Sequence, residues 1–107
     1  MLMASCGQKH KAESTVEQFI EQYALNPSDL NDRDFENFDS TNVIGDSLLR
    51  AMQQSRKPLF RHPITYPTAT TGKGKLFLLR MRFVAHDDTL WHTFYLDQQL
   101  EHVVAFK

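Results

Sequence analysis

The chain has a single cysteine in 107 residues, Cys6. No disulfide can form within it, and no metal site can be built on a cysteine pair. No stretch approaches the roughly 20 apolar residues that a membrane-spanning helix needs. Excess charge of one sign is also missing. Twelve Lys and Arg stand against 13 Asp and Glu, a net −1, so there is no basic footprint for nucleic acid and no acidic tail. Catalytic signatures are equally scarce: there is no serine nucleophile motif, Gly-rich phosphate loop or ligand-spaced His pair. Gly72-Lys73-Gly74-Lys75 lacks the P-loop spacing and reads as a turn. No cofactor and no metal are expected.

What is present is ordinary globular material. Hydrophobic residues make up 41% and charged residues 23%, with eight Phe, three Tyr and one Trp to bury. A chain of this length buries roughly two-thirds of its unfolded surface, enough for one core without metal or disulfide support.

The segment around the cysteine has a definite order. Met1-Leu2-Met3 is apolar, Ala4-Ser5 is small, Cys6 follows, and Gly7 to Lys11 is polar. Export signals end in an apolar stretch and small residues before the cleavage point. Positions 3 to 6 resemble the lipobox of bacterial lipoproteins, with Met3 where Leu is usual. The resemblance implies that Cys6 becomes the lipid-modified first residue and that a longer signal precedes Met1. Five residues cannot hold a charged region plus an apolar region of about 7 to 15 residues. Lipidation at the sulfur and the amine exceeds what stable anchoring needs. Gly7 stands where an inner-membrane-retained member has Asp, which favours the outer membrane over the inner. If Met1 is the true start, the protein is instead cytoplasmic with a free thiol. Positions 1–12 are thus read as residual signal and tether, and 13–107 as one domain.

"ESTVEQFIEQYALNP" predicts a helix. Ser14 and Glu17 form a capping box, Val16, Phe19, Ile20 and Tyr23 make one stripe, and Pro27 stops it. "SDLNDRDFENFDS" reads as an acidic loop or short helical turn pinned by Leu30, Phe35 and Phe38. It lacks the mid-loop Gly and terminal Glu of a calcium loop. A second helix is predicted from about Thr41 to Arg56. Its stripe is Ile44, Leu48, Ala51 and Met52, with Arg50, Gln53 and Arg56 outward and Pro58 ending it.

From Arg61 the period becomes two. "HPITYPTAT" is Pro-broken, an edge strand at most. "KLFLLRMRFVA" puts Phe77, Leu79, Met81, Phe83 and Ala85 on one face and Arg80 and Arg82 on the other. "HDDT" turns the chain, "LWHTFYLD" alternates, "DQQ" turns it again and "LEHVVAFK" closes. With Ala85 opposite Leu90, Phe83 neighbours His92, Met81 neighbours Phe94 and Leu79 neighbours Leu96. The apolar face needs a cover, which the helices supply. The expectation is an α+β fold: two N-terminal helices packed on a C-terminal antiparallel meander of three to four strands. This order, with the closing "FYLDQQLEHVVAFK", resembles the cystatin-like superfamily, which includes nuclear-transport-factor-like domains. It is also similar to small bacterial lipoproteins of unassigned role. The resemblance implies no transferable catalytic residue.

Three functional expectations follow. Arg80, Arg82, Trp91 and Tyr95 share the second sheet face and offer a cation–π-capable surface of the kind enriched at interfaces. The first expectation is therefore a lipid-anchored, non-enzymatic binding or assembly module of the cell envelope. Its partners are the membrane through Cys6 and either a second copy or an envelope protein, not nucleic acid. The second is a small pocket enzyme or ligand carrier using His92 and Asp88, as implied by relatives with a His–Asp pair in the cone between helix and sheet. The third is the cytoplasmic protein above. His86-Asp87-Asp88 is read as turn chemistry rather than catalysis.

Overall fold

The computed structural model describes residues 2–41, 44–66 and 76–107, with side chains from Gly7 onward. Helix α1 (Leu2–Tyr23) leads, followed by strand β1 (Asn31–Thr41), helix α2 (Asp46–Gln54) and strands β2 (Leu76–Ala85), β3 (Asp88–Leu96) and β4 (Val103–Phe106). The strands form one antiparallel sheet in the order β1-β2-β3-β4. The fold is α+β. A helix opens the chain and a three-strand meander closes it, while β1 falls between the two helices.

The predicted stripe of α1 is the buried one: Val16, Phe19 and Ile20 are core, joined by Ala12 one turn earlier. The helix does not begin at Ser14. It runs back to Leu2, through the polar residues 7–11 read above as a tether. Ser14 is an exposed interior residue rather than a cap. Helix-compatible residues upstream, with Lys9 and Glu13 paired one turn apart at 3.9 Å, extend the helix past the capping box. It ends at Tyr23, before Pro27, because the backbone is drawn into a bridge. Ala24 pairs with Phe60, and the Arg61 N–H donates to the Tyr23 carbonyl at 2.8 Å.

The acidic segment read as a loop or turn is strand β1, which corrects that expectation. Phe35 pairs with Met81 on the apolar face, while Asp34 and Glu36 stand opposite Arg82 and Arg80. Opposite charges across a strand pair favour this register. The strand is hard to see in sequence because two bulges break its period. At each bulge a residue takes a left-handed conformation, Asp32 (φ 51°) and Asn37 (φ 56°), residue types that tolerate it. The 62–66 part of "HPITYPTAT" is not a strand. Its remainder and the Gly72–Lys75 turn lie outside the described residues.

The β2–β3 hairpin is tighter than expected. His86 and Asp87 alone form the turn, at φ 51° and 68°, as in a two-residue hairpin with both central residues left-handed. Ala85 therefore faces Asp88, Phe83 faces Leu90, Met81 faces His92 and Leu79 faces Phe94. Every pair moves two places from the expected register. An even slip leaves each side chain on its predicted face.

The largest correction concerns the helices, which do not share a face. α1 covers the face of Leu79, Met81, Phe83, Phe94 and Phe106. α2 lies on the opposite face, where Leu49 and Met52 pack against Leu76, Tyr95, Val104 and Ala105. β4 is buried along its whole length, with side chains in both clusters. A strand apolar on both faces needs cover on both. The buried stripe of α2 is accordingly Leu49 and Met52, not Leu48 and Ala51, and Leu48 is left half exposed.

Candidate functional site

α2 covers only the part of its sheet face where β2 begins and β3 ends. The remainder is open and carries three of the four residues proposed as an interface. Arg82 is directly opposite Trp91 and Arg80 opposite Thr93. The Arg80 guanidinium lies over the indole, 4.2 Å from the ring centroid, and that of Arg82 stands at 6.0 Å. Arg82 Nη2 also donates to Asp34 Oδ2 at 3.0 Å. Trp91 nevertheless remains 41% exposed. Tyr95, the fourth, is not on this open surface. Four residues beyond Trp91 on the same face, it lies under α2, only 5% exposed. Alternation showed the face correctly but not where the helix stops covering it.

His92 is on the α1 face. Its ring stacks on Phe83 at 5.4 Å and meets Phe106 and Phe60 edge-on at 5.2 and 5.6 Å. Nδ1 lies 3.1 Å from the Lys107 backbone oxygen. An oxygen there can only accept, so Nδ1 carries the proton. Burial pushes the imidazole below its usual value, and Lys57 pushes it the same way, against the opposing hydrogen bond to Lys107. Lys57 has little freedom: Nζ donates to the carbonyls of Met52 and Ser55 at 2.6 and 3.3 Å and lies 4.6 Å from the Phe106 ring centroid. Burial lowers its pKa also. Asp88 is not brought to His92. It sits four residues away at the exposed start of β3, about 13 Å along an extended strand.

The structure forms a different His–carboxylate pair. In the turn between β3 and β4, His102 Nδ1 lies 2.9 Å from Asp97 Oδ2. Asp97 Oδ1 accepts from the Glu101 and His102 N–H groups at 2.9 and 3.4 Å. This side chain organises a turn whose Gln98-Gln99 carries no turn former. Leu100 there takes φ 59° while remaining buried, and Thr15 Oγ1 donates to its carbonyl at 2.6 Å. The pair borders an open groove of about 520 Å³ between α1, residues 65–66 and the turn; Gln18, Phe19, Gln22, Tyr66 and His102 are among its lining. Sequence reasoning missed this groove. Gln18 and Gln22 stand one helical turn apart on α1, but nothing local places Tyr66 or His102 beside them. Among the described residues no group of three His, Cys, Asp or Glu could hold a metal ion.

No family model, curated protein or solved structure matches the chain. The functional argument therefore rests on the geometry and on the sequence of this chain alone.

Proposed function

We propose that the protein is a non-enzymatic assembly module of the cell envelope, held to the membrane by lipid on Cys6, and that the open half of the α2-side sheet face docks a second copy of the chain. One observation carries the docking: Trp91 remains two-fifths exposed beneath a guanidinium 4.2 Å from its ring, on a face that is otherwise covered by a helix. Aromatic and Arg side chains are the types enriched at interfaces. Charge complementarity favours a second copy. An acidic row, Asp34 and Glu36, runs beside a basic row, Arg82 and Arg80. A two-fold contact can set each row of one copy against the opposite row of its partner.

The lipid anchor rests on the Met3-to-Cys6 lipobox resemblance. The cystatin-like assignment rests on the pairing of α1 with an antiparallel meander, and both belong to this proposal. Sedimentation of the parent chain is expected to show a dimer. Trp91→Ala, or Arg80→Glu with Arg82→Glu, is expected to give folded monomers. A monomeric parent would overturn the docking. Mass spectrometry of protein from its native host is expected to show acyl chains on Cys6. An unmodified thiol on a polypeptide that begins at Met1 would overturn the anchor.

A further inference from the structure

We propose that the groove between α1 and the β3–β4 turn is a binding site for a neutral oligosaccharide. The groove is on the α1 side of the sheet, so the inference stands independently of the docking face. Its volume of about 520 Å³ falls in the range of small-ligand sites.

The lining disfavours other ligand classes. Among the described residues it contains no Lys or Arg, and the Lys11 ammonium at its rim stands beside Glu101, which disfavours a phosphate or carboxylate. Its two ionisable residues other than tyrosine are already engaged. Glu101 stands 3.9 Å from Lys11, and the His102 imidazole is held by Asp97. A purely apolar ligand would strip water from the polar side chains of Gln18 and Gln22, the latter donating from Nε2 to the Tyr23 hydroxyl at 3.4 Å, which disfavours it.

What remains suits a polyhydroxylated ring. Phe19 and Tyr66 are nearly parallel, 25° apart with centroids at 6.2 Å, and Tyr23 lies 5.0 Å from Phe19. Phe19 is itself buried and serves to hold the half-buried Tyr66 and Tyr23, whose ring faces carry the negative charge density that attracts the C–H-bearing face of a sugar. Each Gln amide offers both donor and acceptor, the combination that adjacent hydroxyls require. His102 is fixed by its carboxylate partner. With Nδ1 turned to Asp97, Nε2 is left for a ligand hydroxyl, which can either donate or accept. The Tyr66 hydroxyl makes no hydrogen bond to another described residue. Burial, with Tyr23 beside it, pushes that phenol up to about 12, so it stays a donor at neutral pH. Tyr23, by contrast, is held in place, its hydroxyl donating to the Thr65 carbonyl at 3.1 Å.

The test is an amide chemical-shift titration of the full chain with chitotriose and, separately, maltotriose. Saturable shifts at Gln18, Gln22, Tyr66 and His102 are expected from at least one of them, with a Kd of about 1 mM or tighter. An N-acetyl requirement shows as binding of the first sugar alone. Tyr66→Ala is expected to weaken binding about tenfold through lost stacking. Gln22→Ala, an exposed rim substitution that leaves the core intact, is expected to weaken it by about threefold. Arg82→Glu, on the opposite face, is expected to bind as the parent does. Absence of saturable shifts with both sugars would overturn the proposal, as would shifts centred on Trp91 or parent-like affinity in both groove variants.

Discussion

The two faces of the sheet are made by the same strands but meet the solvent differently. On the α1 side, Phe83, Phe94 and Phe106 are fully buried and share ring contacts with Phe19, Phe60 and His92. The sheet surface beneath α1 is thus filled by the protein itself, and only the groove at the edge of α1 is open on this side. On the α2 side a nine-residue helix covers one end and leaves Arg80, Arg82 and Trp91 to cover the other. The α1 face therefore carries stability. The open half of the α2 face carries little stability and is where docking can be gained or lost.

The comparison is tested most strongly by Phe106→Ala, which removes a ring packed against Phe94 at 5.1 Å. A loss of about 3–5 kcal/mol is expected in urea unfolding, a large share of a total of roughly 5–15 kcal/mol. A cost under about 1 kcal/mol would show that this face is not the core. Leu49→Ala, which loosens α2, is expected to cost about 2–3 kcal/mol. Gln53→Ala removes the 2.8 Å bond from Nε2 to the Val104 carbonyl on the edge of β4, with an expected cost of about 1 kcal/mol. Trp91→Ala is expected to cost about 0.5–1 kcal/mol, the worth of an exposed cation–π contact, while abolishing self-association. Comparable losses of stability at Trp91 and Phe106 would erase the distinction between the faces.

The pH dependence sharpens the same contrast. The His92 pKa is lowered in the folded state, so the unfolded chain takes up the proton first as pH falls. The stability contributed by neutral His92 is thus complete above its ordinary value of about 6.5 and is lost as pH falls from there through the lowered folded value. Chemical unfolding at a series of pH values should show this decline. His92→Phe, which keeps a ring among Phe83, Phe60 and Phe106, should flatten it. An unchanged pH profile in that variant would assign the decline to other groups.

Much of the fold was legible because its periods are clean. Val16, Phe19 and Ile20 recur at helical spacing, and Leu79, Met81, Phe83 and Ala85 at strand spacing; all are buried on one side. β1 was not legible because two left-handed residues, Asp32 and Asn37, shift its alternation twice in 11 residues. The α2 stripe was ambiguous because Leu48 and Leu49 are adjacent, and only packing on Tyr95 and Val104 selects Leu49. Of the candidate sites, Arg80, Arg82 and Trp91 were legible from alternation alone. The groove was not, since it joins α1 to residues about 45 and 85 positions away, and local sequence carries no signal for a long-range meeting of this kind.

Sequence alone determined the alternation that places Trp91 beside Arg82 and His92 among phenylalanines, because the two-residue period of a strand survives an even slip in register. Tertiary structure alone decided which face each helix covers, and hence that Tyr95 is buried while Trp91 is exposed. Both faces of the last two strands are apolar enough to attract a helix. Only side-chain packing assigns the helices: Phe19 of α1 meets Phe94 and Phe106 on one face, and Leu49 and Met52 of α2 meet Tyr95 and Val104 on the other.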